Sequence, residues 1–181
     1  MIDPQGTPAH WLGEIYDGKA LREPINVVIV DRAAKSADDA KTRLIGAAAL
    51  AGYPLRDGHS AGYRAWIGDA YHGQIPAERD HAFSNEPFVI DNNHGRIFGP
   101  FQAGGAFVFT AAFSRENVDP IAWPAHRFAS FVRARDDFAA RLAATDFYQR
   151  GAAVPLHNAI LDDPAVMTGD HDGMAALLHS E

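Results

Sequence analysis

The chain has 181 residues, 47% of them hydrophobic, which suits one compact domain with a substantial apolar core. Its formal net charge is −7 and it has no cysteine, so the composition excludes a basic surface for nucleic acid, a disulfide scaffold and a cysteine-ligated metal centre. No apolar run approaches the roughly 20 residues of a membrane span, and the N-terminal sequence has no region typical of a secretory signal. We therefore expect a cytoplasmic protein without a membrane span.

The predicted elements begin after an irregular, Pro- and Gly-rich N-terminal arm at residues 1–24. The β-branched run INVVIVD at 25–31 predicts a strand that is buried on both faces. Ser36, with carboxylates in the turn that follows it, predicts the N-cap of a helix that ends before Gly52. The rough alternation over 62–72 predicts the next strand.

A hairpin and a second helix follow. The run FVI at 88–90 predicts a short strand, and a Gly-Gly turn between 97–101 and the strongly alternating 106–113 predicts an antiparallel hairpin. Pro124 fits the first turn of a second helix, which is predicted to run to about Phe147.

The predicted element order is β-α-β-β-β-α, which combines one crossover helix with an antiparallel meander. We therefore predict a single α+β domain in which two main helices cover one face of a largely antiparallel sheet. Residues 25–148 form the predicted core. Residues 149–181 form a C-terminal extension with a weakly predicted helix near 172–179.

The densest polar cluster of the chain is DNNHGRIFGPF at residues 91–101. Because strand residues two apart share a face, His94 and Arg96 are expected to point the same way, with Asn92 beside them. A guanidinium supplies a fixed fork of donors and an imidazole changes its charge near neutral pH, so the pair suits a phosphate or a carboxylate.

Further residues extend this candidate site. Asn93 is next to His94, Arg115 follows the paired strand, and Arg64 is a more distant candidate, so these three are the predicted binding residues. The alternative interpretation is structural: Asp91 and the asparagines form a turn through their own backbone, and the His and Arg side chains lie on a solvated face.

A second group of histidines and carboxylates is a candidate metal site. Neutral imidazoles and carboxylates are ordinary ligands of divalent transition metals. Because no standard ligand spacing is present, the sequence leaves a scattered solvated surface open as the alternative. The predicted ligands are His72, His81 and Asp69, within the wider group His59, Asp69, His72, Glu78, Asp80 and His81.

Two smaller features are interpreted as structural. The segment GDHDG at 169–173 lacks the spacing of a calcium-binding loop and is predicted to be a surface turn. The chain has no phosphate-binding loop, dinucleotide fingerprint or nucleophile elbow, and nothing in the sequence connects a base to Ser114.

Several stretches, taken in order, resemble the LssY C-terminal domain family over residues 24 to 140 approximately. They are PINVVIVD, AAALAGY, NNHGRIFGP, GAFVFTAAFSRE and HRFASFVRARDDF. The resemblance implies a link, by the family's name, to type I secretion and to membrane phosphatase-like domains. It marks His94 and Arg96 as the family's polar patch and assigns them no catalytic role.

The leading hypothesis is a non-enzymatic domain without a cofactor that binds a small anionic ligand or a protein partner through the His94 and Arg96 surface. The rival hypothesis is a phosphoester hydrolase that depends on a divalent metal, with these two residues as the candidate catalytic groups. A third hypothesis is a structural subunit, such as a homo-oligomer, that uses the apolar segment 153–161 as its contact.

Overall fold

The computed structural model describes residues 15–16, 19–20, 24–58, 63–67, 70–77, 80–119, 126–156 and 170–181. Within these ranges the chain forms a large, mostly antiparallel β-sheet and two α-helices, which confirms the predicted α+β class. The helices are α1 (Ala37–Leu50) and α2 (Phe131–Ala143). The strands are β1 (Ile15–Tyr16), β2 (Lys19–Ala20), β3 (Val27–Asp31), β4 (Leu55–Arg56), β5 (Arg64–Ile67), β6 (Ala70–Ile75), β7 (Ala82–Ser84), β8 (Asn92–Ala103), β9 (Ala106–Val118), β10 (His126–Ser130), β11 (Gln149–Arg150), β12 (Val154–Pro155) and β13 (Met174–His179).

The strands of the main sheet follow the order β11-β13-β3-β9-β8-β6-β5. In addition, β10 pairs with β9, β12 pairs with β13, and β7 pairs with both β4 and β8. Among the described strands, every pairing is antiparallel except that of β13 with β3. The sheet therefore contains more strands than the predicted order β-α-β-β-β-α allows.

Both predicted ends of α1 are confirmed. The Ser36 side chain accepts a hydrogen bond from the backbone of Asp39 over 3.1 Å, as an N-cap does. Gly52 has a φ of 81°, and the backbone amide of Tyr53 donates to the carbonyl of Ala48 over 2.8 Å. This is the Schellman arrangement, in which glycine takes the left-handed conformation that ends the helix.

The hairpin of β8 and β9 turns at Gly104 and Gly105, whose φ values of 55° and 77° favour glycine and confirm the predicted turn. A β-bulge interrupts the pairing between Phe98 and Phe101. Three steps along β8 there correspond to two steps along β9, so β8 contains one additional residue. Gly99, with a φ of 121°, lies in this bulge.

Two predicted strands are corrected. Residues 88–90 form a turn, and the next strand, β8, begins after this turn at Asn92. The alternating run at 62–72 is divided between β5 and β6, which pair with each other as a hairpin. Alternation persists on both sides of a tight turn, so a pattern of period two does not reveal the reversal between them.

The second helix begins later than predicted, at Phe131, and ends earlier, at Ala143. Residues 126–130 pair with β9 as β10, and the Ser130 side chain accepts a hydrogen bond from Arg133 N as the N-cap. Pro124 lies outside the described residues. Neither helix of the described part of the chain is long and apolar enough to cross a membrane.

The predicted helix near 172–179 is wrong, because Met174–His179 form the strand β13. This strand pairs in parallel with β3 and antiparallel with β11 and β12. A short apolar run carries no clear period, so its pairing with β3 decides its conformation. Of the apolar segment 153–161, residues 153–156 are described and include β12.

The helices cover one face of the sheet. On that face the ring of Phe113 stacks on Phe138 of α2, with their centroids 3.9 Å apart, and Tyr53 meets both rings edge-on. A Cβ atom at Gly95 would come within 2.5 Å of both the Ala112 carbonyl oxygen and the Phe113 ring. Glycine at position 95 therefore allows the aromatic stack to lie against β8.

The opposite face of the hairpin carries a smaller apolar cluster. Its buried members come from β5, β8, β9 and the residues before β3, and Tyr63 packs against them. Strand β5 therefore lies over the face that points away from the helices. The cluster consists of Ile25, Ala65, Phe98 and Ala112, with Tyr63, Phe101 and Leu156 at its edge.

Candidate ligand-binding site

The polar residues at the start of β8 are divided between the two faces of the sheet. Successive side chains of a strand point to opposite faces, and the register sets Asn93 opposite Arg115 and His94 opposite Ser114. Asn93 and Arg115 therefore lie on the helix-facing side, whereas His94 and Arg96 lie on the other side. The predicted residues are not assembled as one site.

On the helix-facing side, Asn93 belongs to a hydrogen-bonded network that joins the hairpin to α2. Its Nδ2 donates to Asp137 Oδ2 over 3.2 Å, and the Tyr53 hydroxyl donates to the same oxygen over 2.6 Å. Arg141 Nε donates to Asp137 Oδ1 over 3.1 Å. Burial alone would raise the pKa of Asp137, but the hydrogen bonds from Tyr53, Arg141 and Asn93 outweigh it and hold the pKa below its ordinary value. Asn93 thus helps to attach α2 to β8.

The two additional arginines do not share the buried environment of His94. Arg115 Nη1 donates to Asn93 Oδ1 over 3.3 Å, and its Nη2 lies 3.6 Å from Asp91 Oδ2. Arg64 is exposed on β5. The sequence suggested that the Gly-Gly hairpin would bring Arg115 to His94, but Arg115 lies opposite Asn93 instead.

Four polar side chains lie together on the face that points away from the helices: Asn92, His94, Ser114 and Glu116, named here the buried polar cluster. Asn92 and Ser114 are 0% exposed and His94 is 2% exposed. His94 Nδ1 lies 2.8 Å from Asn92 Oδ1. Because an amide oxygen only accepts, Nδ1 carries the proton, and Nε2 lies 3.8 Å from Glu116 Oε1. His94 is therefore held in one orientation by its strand neighbours.

Ser114 is the unsatisfied member of the buried polar cluster. It lies directly opposite His94, and within the described part of the chain its Oγ has no hydrogen-bond partner. A buried hydroxyl without a partner loses about 1–3 kcal/mol of hydration that nothing in the fold replaces. Such groups are rare in folded proteins, and their presence calls for a physical explanation.

Arg96 borders the buried polar cluster on the same face. It is 6% exposed, and its Cζ lies 4.0 Å from the centroid of the Tyr63 ring. A cation over an aromatic face in a desolvated position contributes about 2 kcal/mol. This contact attaches the residues before β5 to β8 and fixes the plane of the guanidinium. Neither His94 nor Arg96 lies on a solvated face.

Among the predicted metal ligands, His81 is part of a convergent group. Its Nε2 lies 2.6 Å from Asp57 Oδ1, and one ligand atom each from His81, Asp57 and Asp80 lie within 4.8 Å of one another. The pairing of β4 with β7 brings Asp57 to His81, which no spacing in the sequence indicates. However, His81 Nδ1 is buried and has no hydrogen-bond partner in the ranges that the structure describes, whereas a ligating histidine usually donates this second N–H.

The other two predicted ligands are not in this group. The ring of His72 meets Phe101 edge-on with the centroids 6.1 Å apart, on a different part of the sheet. Asp69 lies outside the described residues. A site built from His72, His81 and Asp69 together is therefore not seen in the described part of the chain.

Of the segment 169–173, residues 170–173 are described, and they do not form the surface turn that the composition predicts. Asp170 accepts hydrogen bonds from the Ser130 hydroxyl and, over 2.9 Å, from the backbone amide of Phe131. These contacts reinforce the N-terminus of α2. A carboxylate there also interacts favourably with the helix dipole.

The two residues that follow Asp170 also contact α2. Asp172 accepts a hydrogen bond from Arg135 Nη1 over 2.7 Å. His171 is 1% exposed, and its ring meets Phe131 edge-on at 6.3 Å. Burial lowers the pKa of His171 to about 4, so the imidazole is neutral at physiological pH. The segment therefore attaches β13 to α2.

Comparison of the chain with protein-family models, curated proteins and solved structures gives no match. The resemblance to the LssY C-terminal domain family stays a prediction from the sequence. The role of the site is accordingly argued from its geometry.

Proposed function

We propose that this protein binds a small anionic ligand, a carboxylate or a phosphate, at the buried polar cluster beside Arg96, and that it does so without catalysing a reaction. The observation that carries the proposal is the buried Ser114 Oγ, which has no hydrogen-bond partner among the described residues although it lies among polar side chains. An anionic oxygen beside Ser114 would accept this hydrogen bond. The desolvation of the hydroxyl would then be compensated in the bound state.

The neighbouring groups support an anion of low charge. Arg96 contributes one positive charge and Glu116 one negative charge on the same face, and His94 adds a positive charge only when it is protonated. The chain as a whole has a formal net charge of −7, so its overall field opposes anions. Recognition therefore depends on hydrogen bonds made at short range in a desolvated site, where they are strong.

A small ligand is favoured over a protein partner at this site. Because Asn92, His94 and Ser114 are all at most 2% exposed, a folded partner does not reach these side chains without displacing the residues that cover them. A small molecule would need only a local opening of those covering residues. We also propose that the protein is cytoplasmic and belongs to an LssY-like family.

The substitution Ser114→Ala is expected to abolish ligand binding without harming the fold. It removes a buried hydroxyl that has no partner, so the free energy of unfolding should stay the same or rise by about 1–2 kcal/mol. The measurement is a thermal-shift screen of carboxylates and phosphates, followed by urea unfolding. Wild type should show a ligand-dependent rise in melting temperature that Ser114→Ala lacks.

Thr110→Val is the matched control. Thr110 Oγ1 is also buried and has no hydrogen-bond partner among the residues described, but Thr110 pairs with the apolar Phe98. Its replacement should affect stability as Ser114→Ala does and leave the ligand response intact. The proposal fails if no carboxylate or phosphate stabilises the wild type, or if Ser114→Ala responds like Thr110→Val.

The alternative proposal is a metal-dependent hydrolase of phosphoesters, and the convergence of Asp57, Asp80 and His81 is the observation that favours it. These three side chains would hold a divalent cation, which would polarise a phosphoryl oxygen or activate water. His94 would be the acid–base group. Both aspartates are exposed, and His81 Nδ1 has no hydrogen-bond acceptor among the described residues to orient the ring, so ligand binding is the better supported function.

Metal content distinguishes the two proposals. If the cluster binds a metal, purified protein incubated with Zn²⁺ or Mn²⁺ should retain close to one equivalent after desalting, and Asp57→Asn should lose it. Glu86→Gln, at an exposed carboxylate outside the cluster, is the control. Retention below about a tenth of an equivalent, together with no phosphoesterase activity after metal addition, would refute the hydrolase.

A further inference from the structure

A concave site lies at the edge of the sheet where β3 and β13 both end. These two strands are parallel, so their carboxyl ends meet at the same edge. A cavity of about 380 Å³ opens there, within the size range of small-molecule sites. Its lining comes from β13, from α1 and from the loop after α2, and includes Arg43, Asp146, Phe147, His179, Ser180 and Glu181.

Arg43 of α1, which lines this cavity, is held in place by the buried carboxylate of Asp31. Arg43 Nε donates to Asp31 Oδ2 over 3.1 Å, and its Cζ lies 5.8 Å from the centroid of the Phe147 ring. Within the described residues, Arg43 has no other hydrogen-bond partner. The Nη1 and Nη2 groups, which form the outer fork of the guanidinium, are therefore available to a ligand. A fork of this kind binds a carboxylate through two parallel hydrogen bonds.

The rim of the cavity is acidic. Asp146 is exposed and has a φ of 62°, and in the described part of the chain it makes no ion pair or hydrogen bond. Glu181 lies on the same rim, where its Oε1 accepts a hydrogen bond from Gln149 Nε2 over 3.1 Å. Because Asp31 already neutralises Arg43, these carboxylates disfavour a multiply charged anion. They favour a ligand that also carries a positive charge.

We infer that this cavity binds a small zwitterion of the α-amino-acid type. Its carboxylate would occupy the outer fork of Arg43, and its ammonium group would be paired with Asp146. Phe147, whose side chain is 38% exposed although aromatic, would pack against an apolar or aromatic side chain of the ligand. The site and its ligand class are separate from the buried polar cluster and its anion.

The experiment is isothermal titration calorimetry of the full chain with the standard free amino acids. Saturable binding of L-phenylalanine or L-leucine is expected. N-acetyl-L-phenylalanine lacks the ammonium group and L-phenylalaninamide lacks the carboxylate, so each should bind at least about tenfold more weakly. Ser114→Ala should bind the amino acid as the wild type does, which separates this site from the buried polar cluster.

Two substitutions in the cavity and one outside it complete the test. Arg43→Lys keeps the charge beside Asp31 but loses the fork, and Asp146→Asn removes a charge with a residue that tolerates the left-handed conformation. Each should weaken binding at least about tenfold, whereas Arg32→Lys, at an exposed arginine outside the cavity, should not. Absence of saturable binding up to about 10 mM, or binding that both cavity variants leave unchanged, would overturn the inference.

Discussion

Replacing Asp31 with alanine is expected to lower the free energy of unfolding by about 3–5 kcal/mol, because it removes a buried charge from several donors at once. Asp31 is 0% exposed. Its donors, at 2.8 to 3.1 Å, are the Tyr148 hydroxyl, the Ser180 hydroxyl, Arg43 Nε and the backbone amides of Ala33 and Ala34. The two amides lie in the loop after β3, whereas the side-chain donors come from α1, from the loop after α2 and from the residue that follows β13. One carboxylate therefore connects the end of β3 to three other parts of the chain.

The carboxylate must be ionised to serve this role. Burial alone would raise the pKa of Asp31, but hydrogen bonds from Tyr148, Ser180 and Arg43 outweigh it and lower the pKa. A lowered acid pKa contributes stability that is fully present above the ordinary value of 3.8 and is lost as the pH falls through the folded-state pKa. At neutral pH the whole contribution is present. Burial and the Asp31 charge also raise the pKa of Tyr148, so its hydroxyl remains a donor.

Urea unfolding at neutral pH measures the effect. The control is Asp38→Ala, which removes a carboxylate whose side chain is 92% exposed and should change the free energy of unfolding little. The interpretation of Asp31 as a structural hub would be wrong if Asp31→Ala unfolded at the same urea concentration as Asp38→Ala. Because Asp31 also positions Arg43, the variant should lose amino-acid binding as well, if it remains folded.

Acidification from pH 7 to pH 4 is expected to cost about 3 kcal/mol of stability at His171 alone, from the conversion of about 1.4 kcal/mol per pKa unit. Burial against Phe131 lowers the pKa of this imidazole from 6.5 to about 4. The nearby carboxylates of Asp170 and Asp172 oppose this shift, and the Arg135 charge adds to it. In the unfolded chain the imidazole takes up its proton near the ordinary value.

The direction follows from the two pKa values. Above about pH 6.5 His171 is mostly neutral in both the folded and the unfolded protein, so its titration does not change the free energy of unfolding there. Between about 6.5 and 4 the unfolded chain binds more protons than the folded protein, so the free energy of unfolding falls. Below about 4 both states are protonated and the loss attributable to this residue is complete.

The free energy of unfolding is measured by thermal and urea unfolding at pH values from about 8 to about 4, a range that includes the ordinary pKa of histidine. His171→Gln cannot titrate, so its stability should fall by about 3 kcal/mol less over this range than that of the wild type. His179→Gln, at a partly exposed histidine, should behave like the wild type. Equal pH dependence in the wild type and His171→Gln would show that His171 is not the group responsible.

Local chemistry explains which predictions succeeded. Ser36 and Gly52 specify the ends of α1 because capping depends on a side chain and its nearest backbone neighbours. The Gly104-Gly105 turn was predictable because glycine is the residue that readily adopts two successive positive φ values. Such signals lie within a few residues of the structure that they determine.

The candidate site could not be assembled from the sequence because its register depends on the bulge. Ala103 pairs with Ala106, and an uninterrupted ladder from that pair would set His94 opposite Arg115. The additional residue in β8 shifts the register by one, so Ser114 takes that place. A shift of one residue exchanges the two faces of a strand. Ser114 therefore lies beside His94, and Arg115 lies beside Asn93 on the other face.

Periodicity, caps and turn residues act locally, so the α+β class, the ends of α1 and the hairpin of β8 and β9 follow from the amino-acid sequence. Long-range packing, in contrast, makes Met174–His179 a strand beside β3 and lets Asp170 and Asp172 hold α2. It also decided which polar residues share a face. These outcomes depend on pairings between residues far apart in the chain, whose free energy appears only when both partners are in place.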